Sequence, residues 1–119
     1  IDDVTMFGEA LEKSNVIGLD EFKNLYKNNN NIQLVDVRGE SEYKAGHMQG
    51  AENIFVGTLE ANLKKFNTDK QVIISCQSGD RTAIAYSLLA KHGIKNVKNY
   101  GGGMNEWVNT GNPVVSDIN

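Results

Sequence analysis

The strongest constraint on the fold is a recurring run of branched aliphatic residues, each followed by a stretch with helical spacing. Ile32 to Val37 and Gln71 to Ser75 are short and apolar enough to be strands buried on both faces. Shorter β-prone pieces stand at Val16-Ile17, Glu52 to Ile54 and Val97 to Tyr100. Between them lie predicted helices at Asp20 to Lys27, where Phe22, Leu25 and Tyr26 share a face, and at Ser41 to Ala45, Leu59 to Phe66, Thr82 to His92 and Met104 to Asn109. Asn28 to Asn31 is a polar break between two such units. Strands that alternate with helices call for crossover connections, and these units are too short for a barrel. The expectation is an α/β domain with a small parallel five-stranded sheet and helices on both faces. In such sheets ligands bind beyond the carboxyl ends of the strands.

Cys76 stands at such an end and is the single cysteine of the chain. It has no thiol partner for a disulfide or a zinc knuckle, which leaves packing or chemistry as its use. The packing reading makes it a small hydrophobe closing a buried strand. The next residues favour chemistry. Gly79 permits positive φ and close backbone approach, Arg81 supplies an anion partner, and the amides from Gln77 to Thr82 can curl into an anion nest. Ile84, Ala85, Leu88 and Leu89 give the following helix one apolar face, with Thr82 as its expected cap and Gly93 as its end. The positive end of that helix would then lie behind the sulfur. Cysteines in such settings ionise at roughly 3.5 to 7.5, against about 8.5 unperturbed, so a thiolate is expected at neutral pH.

At 119 residues the chain is one ordinary domain, able to bury about two thirds of its unfolded surface without staples. Residues 1 to 14 carry Asp2, Asp3, Glu9 and Glu12 against Lys13, which accounts for the whole net charge of −3 and leaves a neutral body. The lysine pair Lys64-Lys65 reads as a solvated helix face, and no basic stripe with interleaved aromatics suggests nucleic acid. No apolar run approaches a membrane span and no signal-peptide pattern is visible, so a cytoplasmic protein without a membrane partner is expected. The chain starts at Ile1, and the reading is an acidic leader or inter-domain linker over 1–15, a body over 16–119 and a fused neighbouring domain in a longer protein.

Four segments together resemble the rhodanese family of sulfurtransferases over roughly residues 16 to 115. They are Leu34 to Arg38, Glu42 to Ala51 leading to Asn53-Ile54, Cys76 to Thr82, and Tyr100 to Met104 with Trp107. The resemblance implies a double displacement in which Cys76 takes sulfur from thiosulfate or a low-molecular-weight persulfide, carries it as a persulfide, and passes it to a thiol, sulfite or cyanide. Gln77, Ser78, Gly79, Asp80, Arg81 and Thr82 would bind the substrate. No metal, nucleotide or organic cofactor is needed for that chemistry.

Outside the loop, structural roles are the first expectation. Asp36 and Arg38 end a strand beside Cys76 and should support each other and the loop, with direct substrate binding as the alternative; Glu42 is a further expected partner of Arg38. His47 reads as an imidazole bonded into a turn before it reads as an acid or base. His92 reads as a helix-end cation, the glycines 101 to 103 as a turn, and Tyr100, Met104 and Trp107 as packing.

Three other functions share these features. The fold is also that of certain dual-specificity phosphatases and arsenate reductases, but the phosphatases place five residues between Cys and Arg where this chain has four. The loop is then shorter by up to about 3.5 Å of contour, too small for a phosphate tetrahedron. A non-catalytic interaction module is the third alternative, known among relatives lacking the cysteine. As for the donor, Asp80 directly before Arg81 works against a dianion and favours a thiol persulfide.

Overall fold

The computed structural model describes residues 15–27 and 31–116, and what was expected of residues 1–14 and 28–30 lies outside them. The elements run β1 Val16–Ile17, α1 Leu19–Lys27, β2 Ile32–Asp36, α2 Glu40–Ala45, β3 Glu52–Asn53, a 3-10 segment Val56–Lys65, β4 Gln71–Ser75, α3 Asp80–Lys91, β5 Val97–Tyr100 and α4 Gly103–Asn109. Every strand pair is parallel, in the order β1-β5-β4-β2-β3. The chain is therefore the five-stranded parallel α/β sheet that the alternation predicts. The register pairs Asp36 with Ser75, so β2 and β4 end level and bring Arg38 and Cys76 to one rim.

Side-chain alternation along the strands divides the core in two. Val35, Val37, Val72, Ile74, Cys76 and Val97 face one side, where α3 (Ala85, Leu89) and the 3-10 segment (Leu59) cover them. Leu34, Ile73 and Tyr100 face the other, under Phe22 of α1 and Met104 and Trp107 of α4. Phe22 stacks on Tyr100 with ring centroids 4.3 Å apart and meets Trp107 edge-on, and the Trp107 indole N–H donates to the Pro113 carbonyl at 2.7 Å. Tyr100, Met104 and Trp107 are packing residues. The sulfur of Cys76 and helix α4 thus lie on opposite faces of the sheet, which decides how the loop between them is oriented.

Two elements differ from the sequence reading. The predicted helix at 59–66 is a 3-10 segment that starts at Val56 and is interrupted at Asn62, whose φ of −122° is not helical. The Asn62 carboxamide donates to the Thr58 carbonyl at 2.8 Å, occupying the acceptor that its own amide would use in an α-helix. Helix α3 begins at Asp80, two residues earlier than expected, and Thr82 is not its cap. Gly79 has φ +100° and reverses the chain at once, and the buried Thr82 hydroxyl donates back to the Gly79 carbonyl at 2.8 Å. At the far end, His92 is more than a helix-end cation: its Nε2 lies 2.7 Å from Glu60 Oε2 and ties α3 to the 3-10 segment.

Candidate functional site

Cys76 follows β4 directly and is fully buried at the bottom of the loop 77–79. The Gly79 amide donates to Cys76 Sγ at 3.0 Å. On the α4 side, the Met104 amide donates to the Cys76 carbonyl at 2.8 Å and the Asn105 amide to the Gln77 carbonyl at 3.0 Å. A trans peptide points its N–H opposite to its C=O. With both carbonyls turned toward α4, the amides of Gln77 and Ser78 turn to the face that holds the sulfur. The first three amides of α3, from Asp80, Arg81 and Thr82, have no intrahelical acceptor. Among the described residues, none of these five amides meets a protein acceptor. Beside the Gly79 amide bonded to Sγ, the loop and first turn of α3 thus carry five further amides without a protein acceptor, at the positive end of a helix dipole.

Glycine is required twice in this arrangement. At Gly79, a Cβ would stand 2.7 Å from the Gly101 carbonyl oxygen as well as at positive φ. At Gly103, with φ +60°, a Cβ would run into the carbonyls of Cys76 and Gln77. The glycine turn at 101–103 is what lets α4 approach the loop so closely.

The side chains form a second layer. Asp36 and Arg38 are buried and bond to each other, Nε to both carboxylate oxygens at 3.0 Å and Nη2 to Oδ2 at 2.7 Å. Arg38 also donates to the Gly46 carbonyl at 2.7 Å and to Gln77 Oε1 at 3.3 Å. Gln77 Nε2 in turn reaches Asn105 Oδ1 at 2.5 Å. A buried ion pair at the end of β2 is thereby linked through Gln77 to the start of α4. Asn53 bonds the carbonyls of Asp36 and Arg38 and fixes the third strand end.

Asp80 Oδ1 lies 4.0 Å from Sγ and accepts from the Ser78 hydroxyl at 3.4 Å. Glu42 pairs with Arg81 and not, as the sequence suggested, with Arg38. Two parallel bonds of 2.6 and 3.0 Å join the Arg81 guanidinium to the Glu42 carboxylate. The earlier start of α3 explains this, since it places Arg81 in the first helical turn and directs it sideways to α2. Arg81 bonding, aided by the Gly39 amide and opposed in part by desolvation, holds the Glu42 carboxyl down at about 2. The Arg81 pKa is raised, first by Glu42 and less by Cys76 and Asp80. His47 sits in the turn after α2, its Nδ1 2.7 Å from the Tyr43 carbonyl and its ring stacked on Tyr43 at 3.7 Å.

The Glu42 shift makes a pH prediction. A carboxyl depressed in the folded state stabilises the fold fully above its unfolded value of about 4.5 and progressively less as pH falls toward about 2. The pair is partly exposed, so the contribution is small, about 0.2–1 kcal/mol. Urea titrations of the parent and Glu42→Gln should differ most above pH 5 and converge between about 4.5 and 2. A gap that widens on acidification would contradict the pairing.

The sequence reading missed Asn105, the role of Gly103 and the partner of Arg81. Three consecutive glycines leading into a helix were the available signal for the first two. A shallow cavity of about 300 Å³ lined by Gln33, Glu52, Lys65 and Lys70 opens at the amino ends of the strands, away from Cys76. Gln33 is already paired there with Glu52, the Lys65 carbonyl and the Asn67 amide.

Comparison with known proteins identifies the family and the fold. The model of the rhodanese-like domain matches residues 18–110. An uncharacterized Bacillus subtilis protein, YqhL, is 35% identical over 88 residues, which cover 74% of this chain and 68% of that one. The thiosulfate:glutathione sulfurtransferase of Saccharomyces cerevisiae is 33% identical over 98 residues, covering 71% and 70%. The human single-domain sulfurtransferase TSTD1 superposes with a TM-score of 0.74 at 29% identity, covering 80% of this chain and 96% of that one. Across four curated relatives the chain spans between 49% and 70% of their length. Among the described residues no helix is long and apolar enough to cross a membrane.

Proposed function

The chain belongs to the rhodanese-like domain family, and we propose that it is a sulfurtransferase that moves a sulfane sulfur from thiosulfate or a low-molecular-weight persulfide to a thiophilic acceptor through Cys76. The observation that carries this is the Gly79 amide bonded to Sγ at 3.0 Å, in a loop whose carbonyls are tied back to α4. Thiolate Cys76 attacks the outer sulfur of the donor, the donor's S–S bond breaks with its electron pair on the leaving thiolate or sulfite, and Cys76–S–S⁻ remains. The loop amides hold the terminal sulfur as an oxyanion hole holds oxygen. An acceptor thiolate, sulfite or cyanide then attacks that sulfur and restores Cys76.

Gln77, Ser78, Gly79, Asp80 and Thr82 contribute through backbone amides, and Arg38 with Asp36 holds Gln77 in position. His47 secures the turn whose Gly46 carbonyl receives Arg38. The body over 16–119 is the catalytic unit, residues 1–15 are an acidic leader or inter-domain linker, and a reducing compartment such as the cytoplasm keeps the single thiol available. A phosphatase is disfavoured because only four residues separate Cys76 from Arg81, the natural phosphate ligand, and Arg81 is engaged by Glu42. The test is intact mass. Incubation with donor should add one sulfur atom that alkylation maps to Cys76 and that an acceptor thiol removes, and a protein that gains no sulfur from either donor class would overturn the reading.

Arg81 tests the second layer. Arg81→Ala leaves the Glu42 carboxylate unpaired at the mouth, so KM for thiosulfate should rise about three- to tenfold while kcat stays within about twofold. Steady-state kinetics decide this, and an equal fall in kcat and kcat/KM would instead place Arg81 on the transition state.

A further inference from the structure

Resting on the sulfurtransferase reading, we propose that Asp80 selects the donor by charge. The donor is then the hydropersulfide of a thiol, bearing one negative charge or none on sulfur, and not dianionic thiosulfate. Three carboxylates and two guanidinium groups surround Cys76. Arg38 is consumed by Asp36 and Arg81 by Glu42, each through more than one short bond. Among the described residues, no cation lies within ion-pair distance of Asp80, whose Oδ1 is 4.0 Å from Sγ. The lysines with ion-pair partners, Lys44, Lys91 and Lys98, are engaged elsewhere by Glu40, Glu60 and Glu21. Backbone dipoles remain as the site's positive elements. They can hold one charge on a terminal sulfur, but a dianion approaching a thiolate also meets the Asp80 carboxylate, while both guanidinium charges are already matched by Asp36 and Glu42.

The step balances without any further reagent. Sγ⁻ attacks the terminal sulfur of R–S–SH, the Sγ–S bond forms, and the donor's S–S bond breaks with its electron pair on RS⁻. The proton stays on the transferred sulfur until it ionises to solvent. Nothing else is oxidised or reduced.

The effect of a fixed charge on a donor scales with the donor's own charge, so its logarithm is twice as large for a dianion as for a monoanion. Single-turnover loading of Cys76, read by intact mass, is measured with thiosulfate and with the persulfide of β-mercaptoethanol, whose only charge is on sulfur. Asp80→Asn should accelerate thiosulfate loading about tenfold and persulfide loading by no more than about threefold. Asp80→Lys should about square each factor. Added salt should speed thiosulfate loading of the parent protein, because it screens a repulsion, and should change persulfide loading less. Equal acceleration of both donors, or none, or thiosulfate loading slowed by salt, overturns the charge-selection proposal. Failure of both donors to load the parent protein overturns the sulfurtransferase reading itself.

Discussion

Cys76→Ser should abolish sulfur uptake and delivery, with a fall on the order of a thousandfold or more in transfer rate, while the protein stays folded. The hydroxyl is a close steric match for the thiol and can accept the same Gly79 N–H that now ends on Sγ. What it lacks is acidity: a serine stays protonated at neutral pH in surroundings where a thiolate can form, and among the described residues no histidine bonds to the sulfur to take its proton as one does in hydroxyl nucleophiles. Asp80 Oδ1, at 4.0 Å, lies beyond the roughly 2.6–3.2 Å reach that a general base needs. Replacing the nucleophile removes the step that every later interaction serves, so the loss is of the whole catalytic advantage and not of one contribution. The check is intact mass after donor treatment, alongside a thermal melt within a few degrees of the parent. A serine variant that loads and passes sulfur at the parent rate sinks the assignment of Cys76.

Much of this site was legible because it follows from short-range pattern. Gln71 to Ser75 reads as a buried strand from five letters, Cys76 falls at its end, and the parallel register with Ile32–Asp36 follows from strands separated by helices. The pairing of Asp36 with Arg38 was legible for the same reason, since the two are neighbours at one strand end. The start of α3 was not, because Thr82 is a good cap by composition and only the left-handed backbone of Gly79 makes it unnecessary. That shift of two residues carried Arg81 away from the loop and onto Glu42, 39 positions earlier in the chain. No local pattern encodes such a contact. The interruption at Asn62 had a local cause, a side-chain amide competing for a helix carbonyl, but apolar spacing at Leu59, Leu63 and Phe66 masked it.

Gly103→Ala should be the most damaging change outside the nucleophile, lowering stability by about 2–4 kcal/mol and taking most of the transfer activity with it. Two costs add. The first is a non-glycine residue at φ +60°, on the order of 1–2 kcal/mol. The second is a collision, since the new methyl would overlap the Cys76 carbonyl and stand 2.8 Å from the Gln77 oxygen, both of them backbone atoms that no rotamer can move. Relief requires α4 and the loop to separate, which breaks the Met104 and Asn105 amide bonds and frees the very carbonyls whose orientation turns the loop donors toward sulfur. The melting temperature should fall by about 10–20 °C. Gly93→Ala supplies the comparison: Gly93 also has positive φ, +82°, but a Cβ there meets nothing within 4 Å, so it carries the first cost without the second. Calorimetry and sulfur loading on the two variants separate the terms. If the two alanines cost the same and Gly103→Ala still loads sulfur normally, α4 does not hold the loop in its working shape.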